Sequence, residues 1–159
     1  MIRQDGCHAR HQCFRHEVAG IALKSPVVVD GVVYVGSDDG HVYALDAASG
    51  TVRWKKDTGG EVSGSATIAD GTVYIGSKSG LFVALDAATG EEKWRYVKDP
   101  KNPGRFPIST SPAVAFGVVF VGVGQWSGHL SGLDITSGKE VWRLRRYKPN
   151  GGMLGPTID

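Results

Sequence analysis

Apolar residues in this chain fall into short runs separated by glycine-bearing turns, and the pattern predicts strands rather than helices. The first set covers Pro26–Asp30, Val32–Gly36, His41–Asp46 and Thr51–Lys56. The separators are Asp30-Gly31, Asp38-Asp39-Gly40 and Ser49-Gly50. Asp-Gly between β-rich segments is a strong hairpin signal, because a type I′ turn wants positive φ at both central residues. Val32-Val33-Tyr34-Val35 is continuously apolar, which predicts a strand buried on both faces. Lys55 and Lys56 follow Trp54 and predict an outer strand that meets water, where charge also discourages edge pairing.

The set recurs. Asp30-Gly31 returns as Asp70-Gly71, Gly36-Ser37 as Gly76-Ser77 and Trp54 as Trp94, each 40 positions on (70 − 30, 76 − 36, 94 − 54). A third copy ends at Trp142, which is 142 − 94 = 48 positions after Trp94. Its extra residues lie in Lys98–Pro107 and around Val123–Ser127. One phrase closes every copy: Ala44-Leu-Asp46-Ala-Ala-Ser49-Gly50-Thr-Val-Arg-Trp54, Ala84-Leu-Asp86-Ala-Ala-Thr89-Gly90-Glu-Glu-Lys-Trp94 and Gly132-Leu-Asp134-Ile-Thr-Ser137-Gly138-Lys-Glu-Val-Trp142. A period of this length, built from short strands, predicts a propeller or an array. Asp46, Asp86 and Asp134 are placed to accept hydrogen bonds from the N–H groups of the following turn. The three tryptophans are expected to bury large rings between neighbouring sheets. Ala44 and Ala84 are expected to leave room for a ring from the next sheet, and Gly132 to leave that pocket looser.

Composition narrows the function classes. The 159 residues are 41% apolar and 21% charged, with a net charge of +2, too small to argue for nucleic acid or an anionic membrane. No apolar run approaches the roughly 20 residues of a membrane-spanning helix. The 23 glycines sit at regular intervals, so they signal tight turns rather than low complexity. Met1–His8 has no apolar core of a secretory leader.

The phrase Ala-x-Asp-x-x-Ser/Thr-Gly-x-x-x-Trp resembles the tryptophan-docking motif of the pyrroloquinoline-quinone-type β-propeller repeat. The resemblance covers Ser25 to Trp142, matches fully in two copies, and departs at Gly132 in the third. Ser25–Ser37 is also similar to that family's opening strands. Members usually close about eight blades into a ring. They include quinoprotein alcohol and glucose dehydrogenases, a scaffold lipoprotein of the outer-membrane β-barrel assembly machine, and propellers attached to receptors or kinases. The resemblance implies an all-β fold: a partial β-propeller of three complete four-stranded antiparallel blades, with partial blades at both ends. The divisions are 1–24 for a tail and the last strand of a preceding blade, 25–64, 65–110 with its inserted loop, and 111–154 for the three blades, and 155–159 for the start of another. Phe14 stands 40 residues before Trp54, which supports the first of these. Three blades cannot close a ring of ordinary curvature. The chain is therefore expected to be a fragment of a longer protein whose leader lies upstream, or to associate through exposed blade faces.

Candidate chemistry is thin. Cys7, His8, His11, Cys13 and His16 form one dense cluster that could bind a soft metal, though its spacing fits neither a zinc finger nor haem attachment. A Cys7–Cys13 disulfide and a frayed terminus are the other readings, and the terminal position favours fraying. Quinoprotein dehydrogenases hold their cofactor on a tryptophan floor beneath an adjacent-cysteine disulfide, beside Ca²⁺. This chain has no adjacent cysteines, and its asparagines are Asn102 and Asn150. No catalytic set is visible. Long loops carry binding on rigid scaffolds, so Arg105, Phe106, Trp126, Arg145, Arg146 and Tyr147 are the candidate contact residues. The resulting expectation is a non-catalytic scaffold of the periplasm or cell envelope that binds a protein or ligand and takes no cofactor. Two alternatives stand beside it: part of a quinone-dependent dehydrogenase, with pyrroloquinoline quinone and Ca²⁺ bound by blades outside this chain, and the sensor propeller of a signalling protein.

Overall fold

A computed structural model describes residues 24–124 and 128–145. These residues form twelve strands in three sheets, each a four-stranded antiparallel meander in sequence order. The first sheet holds β1 (Val27–Val29), β2 (Val32–Gly36), β3 (His41–Asp46) and β4 (Val52–Asp57). The second holds β5 (Thr67–Ala69), β6 (Thr72–Gly76), β7 (Leu81–Asp86) and β8 (Glu92–Val97). The third holds β9 (Ala113–Ala115), β10 (Val118–Val123), β11 (His129–Asp134) and β12 (Glu140–Arg145). The molecule is all-β, and among the described residues no helix is long and apolar enough to cross a membrane.

The turn chemistry explains the meander. Asp30-Gly31 and Asp70-Gly71 join the first two strands of their sheets with positive φ at both residues, 48° and 72° in one and 46° and 66° in the other. This is the type I′ geometry whose twist matches the flanking strands. The short strands β1, β5 and β9 contact one another along the inner edge, so the sheets fan outward from them to β4, β8 and β12. The described sheets make an open arc: a partial propeller.

Each sheet carries the same irregularity. Ala44 pairs with Trp54 but Leu45 pairs with Val52, leaving Arg53 as a bulge. Lys93 and Val141 occupy the same place in the other two sheets. The extra residue reverses facing within the outer strand. Trp54 therefore turns toward the second sheet while Val52, two residues earlier, turns away from it.

Two apolar cores fill the junctions. Between the first and second sheets, Val42, Ala44, Trp54 and Val62 meet Val73, Ile75, Val83 and Leu85. Between the second and third, Tyr74, Phe82, Trp94 and Ile108 meet Val119, Val121 and Leu133. The connection after each outer strand drops one aliphatic side chain onto a strand glycine. Val62 lies over Gly36 and Ile108 over Gly76, each so close that a Cβ on the glycine would collide with it.

The structure corrects the expectation for Ala44 and Ala84. Ala44 pairs across the ladder with Trp54 of its own sheet, and Ala84 with Trp94 of its own. The small side chain makes room for its own sheet's ring, because directly opposed residues share a face. Gly132 is not a looser pocket. The Trp142 ring lies against it, closer than any Cβ would permit.

Candidate interaction site

The repeated polar residues form one local unit. The Asp46 Oδ1 accepts from Ala48 N–H at 3.1 Å, Ser49 N–H at 2.9 Å and the Ser49 hydroxyl at 3.0 Å. Asp86 makes the same set with Ala88 and Thr89, and Asp134 with Thr136 and Ser137. The bulge residue adds a cation in two sheets: Arg53 Nη2 lies 2.6 Å from Asp46, and Lys93 Nζ lies 3.6 Å from Asp86. Hydrogen bonds from Arg53 and then Ser49 hold the Asp46 carboxyl well below the usual carboxylate range. The Thr89 N–H leads the same downward shift at Asp86, and the Ser137 hydroxyl leads it at Asp134.

These turns also receive indoles. The Trp54 Nε1–H donates to the Ala87 carbonyl at 3.0 Å, which also accepts the Tyr34 hydroxyl at 3.0 Å. The Trp94 Nε1–H donates to Ile135 O at 2.9 Å. Each ring lies against the glycine that ends the turn. A Cβ on Gly90 would stand 2.7 Å from Trp54 Cδ2, and one on Gly138 would overlap Trp94. These glycines have positive φ, 75° and 69°, so both backbone and space require the missing side chain. Gly50 has the same backbone, φ 69°, and among the described residues nothing lies within 4 Å of a Cβ placed there. Trp142 is half-buried, its ring tilted 54° against Phe120 of its own sheet with centroids 5.6 Å apart.

Two features depart from the repeat. One is Phe116-Gly117, the hairpin tip between β9 and β10. Phe116 stands where the other sheets have aspartate, holds φ at 53°, and is 100% exposed. A bulky residue in the left-handed region is unusual and strained. Sequence reasoning missed this residue. The available signal was Phe-Gly where two copies read Asp-Gly.

The other departure is the inserted loop at the opposite rim. Asp99 Oδ1 accepts the N–H groups of Lys101 and Asn102 at 3.1 and 3.3 Å, and Pro103–Arg105 forms one 3-10 turn. Lys98 Nζ ties the loop to Glu140 of the third sheet at 3.1 Å. The Gly124 N–H donates to Pro107 O at 2.8 Å. Phe106, half-buried, lies edge-on to His129 with ring centroids 6.4 Å apart, and the exposed Arg105 guanidinium stands 5.5 Å over the Phe106 ring. Arg105 and Phe106 are thus brought together. Trp126, Arg146 and Tyr147, the Arg145 side chain, and the Cys7, His8, His11, Cys13, His16 cluster lie outside the described residues. Among the described residues, no three His, Cys, Asp or Glu side chains are grouped to hold a metal ion.

No curated protein matches the chain. Among solved structures it is similar to quinohemoprotein alcohol dehydrogenase from Pseudomonas putida, with 32% identity and a TM-score of 0.68 over 77% of this chain and 20% of that one. It is similar to a europium-containing methanol dehydrogenase, with 27% identity and a TM-score of 0.70 over 84% of this chain and 27% of that one. It is also similar to BamB from Moraxella catarrhalis, with 25% identity and a TM-score of 0.65 over 83% of this chain and 38% of that one. The chain therefore spans between 20% and 38% of the length of these three relatives. A family model described as outer membrane protein assembly factor BamB matches residues 10–155. With three meander sheets built on one repeated turn and indole, this chain belongs to that family of pyrroloquinoline-quinone-type β-propeller repeats.

Proposed function

We propose that the chain is a non-catalytic propeller segment of an envelope protein, and that its rim binds a partner protein with Phe116 as the anchor. The carrying observation is the fully exposed Phe116 at φ 53°. An aromatic ring held in water on a strained backbone contributes little to the fold, and such strain clusters where function requires it. Aromatic anchors dominate protein interfaces. The repeated set Ala44, Asp46, Gly50, Trp54, Ala84, Asp86, Gly90, Trp94, Gly132, Asp134, Gly138 and Trp142 is assigned to holding turns and sheets together, with blades cut at 25–64, 65–110 and 111–154. The envelope assignment rests on the family match and the BamB likeness.

Phe116→Asp tests this reading. It restores the residue of the two sister turns, so Tm is expected to hold or rise slightly. A photo-crosslinking side chain at position 116 in the native host is expected to give one discrete adduct, and co-purification of that adduct's protein is expected to fall with Phe116→Asp. A drop in Tm with unchanged co-purification would assign Phe116 to the fold instead.

A second reading is favoured by the 32% identity to an alcohol dehydrogenase: a piece of a quinone-dependent enzyme. Against a quinone floor in the described segment stands the placement of Trp54 and Trp94, whose rings are each closed in between two sheets. Dye-linked alcohol oxidation by the full-length protein to which this segment belongs, after adding pyrroloquinoline quinone and Ca²⁺, would establish the second reading over the first, and no cofactor binding with no turnover would remove it.

A further inference from the structure

The rim around Phe116 departs from its sister rims at more than one residue, and the departures fit together. In the first two sheets three positions meet there: the aspartate at the hairpin tip (Asp30, Asp70), the first residue of the strand that follows it (Val32, Thr72) and the bulge cation (Arg53, Lys93). The second sheet shows how close they come. Lys93 Nζ lies 2.7 Å from Thr72 Oγ1, 3.5 Å from Gly71 O at the hairpin tip and 3.6 Å from Asp86 Oδ2. In the third sheet the same positions hold Phe116, Val118 and Val141. The tip and the following turn are again held together. The Ile135 N–H donates to Gly117 O at 3.0 Å, and Val118 pairs with Asp134 across the ladder. The tip acid and the bulge cation have both become apolar, while the turn carboxylate stays.

That carboxylate lacks what its sisters have. Asp46 takes Arg53 and Asp86 takes Lys93, each from its own sheet. The three hydrogen bonds to Asp134 all go to Oδ1, and among the described residues no cation lies within 4 Å of it. The Lys139 charge acts on it only from farther away. Which sheet comes next does not decide the matter. The second sheet has a sheet packed on each face, yet Asp70 and Lys93 are both exposed. At both described junctions the turn carboxylate draws its partners from its own sheet alone.

Building on the reading of Phe116 as an anchor, we infer that the partner presents an arginine or lysine whose charge takes the bulge cation's place beside Asp134, with its stem lying on Val141 and Phe116. Long basic side chains lay their methylenes on apolar surface and keep the charged head for an acceptor, and a hydrogen bond between two charged groups is the stronger kind. The Phe116 ring, fully exposed, can also take a cation on its face. An acidic segment would be repelled by Asp134, and a wholly apolar one would strip the carboxylate of water without replacing it.

The test uses the full-length protein in its native host, with a benzophenone amino acid at position 116 as the probe. Mass spectrometry after digestion by a protease that spares basic residues is expected to place the adduct next to a lysine or arginine of another protein. Val141→Arg rebuilds the arrangement of the first sheet and gives Asp134 a cation of its own. It is expected to lower the adduct yield about tenfold while Tm holds or rises. Asp134→Asn keeps the oxygen that caps the turn and is expected to lower the yield similarly. Circular dichroism checks that each variant folds, and Val141→Lys replaces any that does not. A yield unmoved by these variants, an adduct within this chain itself, or a contacted segment without a basic residue would overturn the inference. An adduct with another protein that ignores the variants leaves Phe116 standing as an anchor, whereas no adduct at position 116 removes that reading and this one with it.

Discussion

Removing one indole from a junction should cost far more than removing one from the open face. Trp94 is 9% exposed, lies against Gly138, and donates to Ile135 O at 2.9 Å. A buried tryptophan of this kind withdraws about 200 Å² from water, and at ~25 cal/mol per Å² that is about 5 kcal/mol as an upper figure. The lost hydrogen bond adds ~1 kcal/mol, while collapse of the cavity returns part of the total. Trp94→Ala is therefore expected to destabilise by about 4 kcal/mol, or roughly 10–15 °C in Tm for a chain of this size. Trp142→Ala, which removes a half-buried ring, should cost about 1–2 kcal/mol. Urea titration followed by circular dichroism gives the totals, and hydrogen exchange resolves them by sheet. Stacked units contact only their neighbours, so protection should fall most in β5–β12, on the two sides of the broken junction, and least in β1–β4. Equal costs for the two variants, or protection lost evenly over all three sheets, would refute the assignment of junction strength to the indole.

Acid should act through the turn carboxylates. Asp46, Asp86 and Asp134 are all shifted below their ordinary value, so their contribution is complete above the unfolded value of about 3.9 and is lost as pH falls toward the lower folded values. Tm measured from pH 7 downward is expected to stay level to about pH 4 and then drop. Asp86→Asn should flatten part of that drop, and an acid slope unchanged by it would remove these turns from the explanation. Gly90→Ala and Gly50→Ala both force alanine into the left-handed region, but only the Gly90 Cβ would lie 2.7 Å from an indole atom. Chemical denaturation should therefore show Gly90→Ala costing at least ~1 kcal/mol more than Gly50→Ala, and equal losses would contradict the wedge.

Much of the fold is legible in the sequence because the turn chemistry is local. Asp30-Gly31 and Asp70-Gly71 state their φ values in their residue types, and the strands between them follow. The facing of the outer strand is not legible in the same way. Strict alternation puts Val52 and Trp54 on one face. The bulge at Arg53 puts them on opposite faces, and it shows only when β3 and β4 are paired. The role of Ala44 was misjudged for the same reason: which sheet's ring covers it depends on register. Phe116 was missed because a repeat draws attention to what recurs, whereas this residue matters by breaking the pattern. Arg105 and Phe106 were found from an insertion, and the structure places them against His129, a contact that no spacing along the chain foretells.

The direction in which indoles are handed on has a consequence for how such a chain can grow. Among the described residues, the first and second units each give one ring nitrogen forward to a backbone carbonyl of the next, Trp54 to Ala87 and Trp94 to Ile135. Duplicating or excising a whole unit leaves each remaining donor facing an acceptor of the same shape. Cutting within a unit strands one of each. Length in this architecture should therefore change in steps of one full period, and a gene that gains or loses half a period should encode a product that fails quality control.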